Sequence, residues 1–223
     1  MVELIVEYAS VFLALLIVLP VHEFAHAYSA HKCGDLTPKI NGRLTLNPMA
    51  HFDTYGLVAL LLVRFGWGKP VPVNPNNFRN RKVGCILVSI SGVIANFLLA
   101  FLVYPLLFSL IYFVKIPNLG YFDDVLLNTI YYIPSLSLAF FAFNILPIYP
   151  LDGFKLYETL SSGRGSIYRF LRNNGSYILI GLILLGLIAD RTGMWYLDIL
   201  GTYVRWMSGV LGYPITAFWG LIF

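Results

Sequence analysis

Apolar residues in this chain gather into long runs instead of alternating with polar ones. Runs over about residues 3–30, 83–114, 125–151 and 173–189, and a last one ending at Phe223, are long enough to cross a bilayer as helices. The pattern predicts an all-α polytopic membrane protein with about five transmembrane helices. A shorter run, Thr54–Val63, stands between Asp53 and Arg64. As a helix it covers about 15 Å, half of a hydrocarbon core of about 30 Å, so a re-entrant segment is expected there. Residues 40–78 are rich in Asn, Pro and Gly, with Asn47-Pro48, Pro70, Pro72 and Asn74-Pro75. Such punctuation breaks helices and predicts a small strand-like insert at the cytoplasmic face.

Composition agrees with the membrane reading. With 58% hydrophobic and 12% charged residues, the 223-residue chain lacks the polar surface of a soluble globule. If Thr54–Val63 does not span, one side of the membrane receives Lys32, Lys39, Arg43, Arg64, Lys69, Arg79, Arg81, Lys82, Lys155, Arg164, Arg169 and Arg172. Little more than Lys115 and Arg191 falls on the other side. The positive-inside bias then places the N-terminus outside and the C-terminus in the cytoplasm of a multi-pass cell-membrane protein. Glu3 and Glu7 replace the basic segment of a signal peptide, so the first run is expected to stay in the mature protein. Cys33 and Cys85 have no CxxC spacing and are expected as free thiols. Residues 1–223 read as one domain, a core over about 1–153 with additional helices over about 173–223. The lipid bilayer is the expected surrounding, and no nucleic-acid partner is expected.

Against this apolar background, His22-Glu23-Phe24-Ala25-His26 carries the chemistry. In HExxH the two imidazoles share one helix face and the Glu stands beside whatever they bind, which is a zinc site with its own base. The motif lies in the inner part of the first span, and Asp152 ends the third span at a similar depth. That makes Asp152 the natural third ligand, leaving a fourth tetrahedral position open. The alternative for Asp152 is an interfacial carboxylate capping a helix. Pro147 and Pro150 remove backbone donors, and Gly153 permits conformations closed to other residues, so the helix should loosen where Asp152 turns inward. His51 and Asp53 either orient a ligand and line a water entrance or cap the re-entrant segment. His31 reads as a solvated interfacial histidine, and Asn96 as a helix-packing residue. Trp195 to Arg205 reads as an interfacial stretch, with the last span beginning near Trp206.

These residues resemble the site-2 protease family of intramembrane zinc metalloproteases (peptidase family M50). The resemblance is carried by HExxH and by Asn47-Pro48-Met49-Ala50-His51-Phe52-Asp53-Thr54-Tyr55-Gly56. It continues through Gly68-Lys69-Pro70-Val71-Pro72-Val73-Asn74, Gly92 to Asn96, and Asn144-Ile145-Leu146-Pro147-Ile148-Tyr149-Pro150-Leu151-Asp152-Gly153. It implies one zinc ion per chain, held by His22, His26 and Asp152, with Asn144 as a polar partner for substrate or transition state. Phe154 stands where a second Gly is common, Val93 where Pro is common, and neither a PDZ nor a CBS-type domain is seen, as in the compact subgroup. The implied activity is zinc-dependent endopeptidase cleavage in or near transmembrane segments of membrane protein or peptide substrates, by Glu23-assisted attack of a zinc-bound water. The extended Val71-Pro72-Val73 region could pair with an unwound substrate by strand addition. The alternative is a membrane zinc-binding or zinc-transport protein. Transporters usually carry repeats and paired broken helices, which are not seen here, and a carrier has no use for an unligated Glu.

Overall fold

In a computed structural model of the chain, residues 1–63, 66–113 and 120–223 are described. Arg64, Val114 and Lys115, used above for charge counting and for the end of the second run, lie outside them. The elements are α1 (Val2–Cys33), α2 (Thr37–Ile40), α3 (Thr54–Val63), α4 (Arg81–Phe113), α5 (Tyr121–Asn144), α6 (Asp152–Leu160), α7 (Ser166–Thr192) and α8 (Ile199–Gly220). Among the described residues, four stretches are long and apolar enough to cross a membrane: Val2–Cys33, Arg81–Leu110, Tyr121–Asn144 and Ser166–Thr192.

The core is a three-helix packing of α1, α4 and α5. Ala14 and Val18 of α1 meet Ile133 of α5, with Leu99 and Val103 of α4 closing around them. Ala14, fully buried at this seam, lets the backbones approach there, the usual basis of helix association where lipid is as apolar as the side chains. Ala100 of α4, Leu138 of α5 and Ile215 of α8 form a second cluster, and Trp219 Nε1 donates to the Phe101 carbonyl at 2.9 Å. Asp198 caps α8 by accepting from the Gly201 N–H at 2.9 Å, and its other oxygen pairs with Arg205 at 2.9 Å. The last helix begins at Ile199, about two turns before Trp206, because Asp198, within the stretch read above as interfacial, caps it.

Two further expectations change. Among the described residues there is no strand; the insert consists of turns, 3-10 helices at Pro48–Ala50 and Pro75–Asn77, and one isolated antiparallel bridge between Phe52 and Gly68. Prolines at 70, 72 and 75 remove donors that a ladder needs. The third long helix ends at Asn144 instead of near Leu151. Residues 145–151 form an irregular turn with Pro147 and Pro150, and Asp152 opens α6, a separate amphipathic helix.

Both cysteines are free, and they pack with Phe78, Ala30 and Val88.

Candidate metal centre

Pro20 lies inside α1, so the carbonyl of Leu16 loses its helical donor just before the histidine motif. The helix nevertheless continues, and His22 and His26 point from one face with ring centroids 4.6 Å apart. Their Nε2 atoms are 3.0 Å from each other, and Asp152 Oδ2 lies 3.2 Å from that of His22 and 2.9 Å from that of His26. All three residues are buried. The sequence-predicted ligands thus converge from α1 and from the first turn of α6. Asp152 also lies in the first turn of α6, where the backbone dipole favours a negative charge. The N-cap position is Leu151 and the aspartate side chain makes no cap hydrogen bond, so the capping reading is not what the structure shows.

A metal fits this arrangement. Asp152 Oδ2 is buried and accepts no hydrogen bond among the described residues, although two imidazole nitrogens face it. In a tetrahedral site with bonds of about 2.0–2.1 Å, donor atoms sit about 3.3 Å apart, close to the spacing found. Three buried donor atoms aimed at one point at this spacing fit a cation position.

Each ligand has an outer partner on another part of the chain. His26 Nδ1 donates to the Val88 carbonyl of α4 at 2.7 Å, with Ser91 Oγ at 3.3 Å. His22 Nδ1 lies 3.1 Å from the Asn96 side-chain amide, and Asn96 is fully buried. Asp152 Oδ1 accepts from Lys155 Nζ at 2.9 Å. Gly92 lets α4 come this close: a Cβ there would lie 2.6 Å from His22 Cε1 and strike His26 Nε2. Asn96, read above as a packing residue, therefore touches a ligand. The signal was its position one turn after Gly92 on the same face of α4.

Gly153 is needed for space and not for an unusual backbone conformation. It sits within α6, and a Cβ would run into the backbone of Ile145 and Leu146, which fold back over the helix. Phe154, the departure from the family pattern, is 1% exposed and stacks on Tyr168 of α7 at 5.7 Å, with Tyr149 edge-on at 5.6 Å. Glu158 adds bonds to Tyr168 Oη at 2.6 Å and Arg172 at 2.9 Å. These contacts seat α6, and with it Asp152.

A cavity of about 400 Å³ opens onto the three ligands. Glu23 and Asn144 line it, as do Val71, Val73, Lys155 and Glu158. Asn144 Nδ2 donates to the Phe140 carbonyl one turn back in α5 at 3.0 Å. Asp53 caps α3 by accepting from the Gly56 N–H at 3.0 Å. His51 is fully buried, donates from Nε2 to the Thr45 carbonyl at 2.8 Å, and is not among the cavity-lining residues; it holds the insert together. Of the two readings open for these residues, the structure gives the capping one for Asp53 and neither for His51.

The chain is 40% identical over 148 residues to "Putative zinc metalloprotease YwhC" of Bacillus subtilis, covering 66% of this chain and 67% of that protein. It belongs to the site-2 protease family. "Putative zinc metalloprotease Rip2" of Mycobacterium tuberculosis is 28% identical across 97% of this chain and 84% of its own length. The Rip2 of Mycolicibacterium smegmatis is 25% identical across 95% and 80%. No protein-family model and no solved structure matches the chain. With these relatives and the His22, His26 and Asp152 group, this site-2 protease relative is a membrane protein with zinc as its cofactor.

Proposed function

We propose that this chain is an intramembrane endopeptidase, a zinc enzyme that cuts membrane protein substrates in or near their transmembrane segments. The observation that carries the reading is the placement of Glu23 in the cavity onto which the three buried ligands open, on a helix long and apolar enough to span. A carrier would need the ligands but not the carboxylate, so transport is not favoured; the relatives also bear protease names.

Zinc held by His22, His26 and Asp152 supplies a Lewis acid that acidifies water and polarises a carbonyl. Glu23 takes the proton from the attacking water and returns it to the departing amine. Asn144 exchanges its bond to the Phe140 carbonyl for one to the developing oxyanion. Val71 and Val73 form one wall of the cavity, and among the described residues their N–H groups have no partner. They can therefore take up an unwound, extended stretch of substrate by strand addition.

The proposed topology has five spans, with α8 as the fifth and α3 re-entrant, the N-terminus outside and the C-terminus in the cytoplasm. Lys and Arg on the segments joining α1 to α4 and α5 to α7 support that orientation.

The deciding experiment expresses the native chain and Glu23→Gln in a host lacking its own copy and compares new N-termini in washed membranes. Cleavage sites in or beside spans that vanish in Glu23→Gln, with one zinc kept by both proteins, are expected. Identical N-termini in the two samples would sink the protease reading.

A further inference from the structure

The two histidines of the site differ in what stands behind them. Behind His26 is a backbone carbonyl, Val88 O, 2.7 Å from Nδ1. A carbonyl only accepts, so His26 carries its proton on Nδ1 and turns a bare Nε2 to the site. Behind His22 is the carboxamide of Asn96, with Nδ2 placed 3.1 Å from Nδ1 and Oδ1 buried without a hydrogen bond. In that orientation the amide donates to Nδ1, and the proton of the neutral imidazole must sit on Nε2, the atom 3.2 Å from Asp152 and 3.0 Å from His26 Nε2. A protonated Nε2 cannot hold a metal.

The oxygen and nitrogen of a carboxamide are assigned by their hydrogen bonds and occupy nearly equivalent positions. Exchanging them trades the Nδ2 bond to His22 for one to Oδ1 and breaks no other, because Oδ1 has none among the described residues. After the exchange Oδ1 accepts the Nδ1 proton of His22, and both histidines present the same tautomer. We propose that Asn96 is a positioning residue, whose side-chain oxygen fixes His22 as the tautomer with Nε2 free for zinc. It is 0% exposed and stands one turn beyond Gly92, whose missing Cβ admits the imidazoles to α4. Among the described residues no other group hydrogen-bonds to His22 Nδ1.

The inference rests on the zinc reading of the site, and metal affinity separates the two. Zinc dissociation constants are measured by chelator competition on the full chain in detergent, for the native protein, Asn96→Asp and Asn96→Leu. Asp keeps an acceptor and has no donor; Leu has neither. Affinity equal to or tighter than native for Asn96→Asp, and about 10–100-fold weaker for Asn96→Leu, is expected. A packing role alone would not spare the charged Asp while penalising the apolar Leu. Weakening of tenfold or more in Asn96→Asp overturns the proposal, since it means that the amide donates. Native affinity in Asn96→Leu overturns it as well. Should Asn96→Leu fail to fold, the Asp variant decides alone. A native protein without zinc would remove the metal reading itself, whereas native zinc with an indifferent Asn96 removes only this inference.

Discussion

Lys155 Nζ lies 2.9 Å from Asp152 Oδ1, on the oxygen turned away from the histidines. The pair is set by α6 itself, since residues three apart share a helix face. By holding Oδ1, the lysine leaves Oδ2 as the single donor toward the metal. Lys155→Met should weaken zinc binding about tenfold, at the low end of what outer partners of metal ligands contribute, because the lysine is half exposed and solvent screens it. Lys155→Arg should restore it. Chelator competition reads both, and native affinity in Lys155→Met would show that the pair is ornamental.

Gly92→Ala should disable the metal site without unfolding the bundle. The added methyl meets the two imidazoles, so α4 and α1 must part or the rings must rotate. A loss of at least tenfold in zinc affinity is expected. Gly181→Ala in α7, where a Cβ meets nothing within 4 Å, is the neutral control. Thermal unfolding of both apo proteins would show whether the effect is local.

Asp35 gives the loop after α1 a pH dependence. Burial raises its carboxyl, but bonds from Thr37, from the Asn74 N–H and from Asn77 outweigh that and hold it below its ordinary value. A depressed folded value means stability that is present above the unfolded value, about pH 4, and lost as pH falls through the folded one. Asp35→Ala should therefore destabilise the chain by on the order of 2 kcal/mol at neutral pH. The difference from native should shrink below about pH 4 in thermal unfolding in detergent. A gap that does not close there would place the effect elsewhere.

Replacing Val71 and Val73 together with Pro removes the two N–H groups that strand addition would use. Substrate cleavage should fall at least tenfold while zinc content stays at one per chain. Unchanged cleavage would rule out pairing by this segment.

Much of the site was legible before the fold. His22, Glu23, His26 and Asp152 are rare polar residues in apolar surroundings, and such residues have few ways to exist without a partner. Pro147 and Pro150 announced a break before Asp152 but not that α5 stops at Asn144, because Ile145, Leu146, Ile148 and Leu151 are as apolar as any span. Hydropathy registers their solvent preference and is blind to the prolines that turn them. The role of Asn96 was hidden for another reason: it acts through one contact with a different helix, and a single residue carries no period. The four bonds to Asp35 join positions as far apart as 35 and 77, a relation that no local pattern carries.

Asp152 belongs to the first turn of a short helix, not to the end of a span. An ion held by His22, His26 and Asp152 would therefore rivet α1 to α6, which the chain joins only through distant sequence, and filling the site and seating α6 would become one equilibrium. Whatever loosens Phe154 between Tyr149 and Tyr168 must lower metal affinity, and a chelator must in turn loosen Phe154 by the same free energy. The aromatic stack thus reports on the metal without touching it.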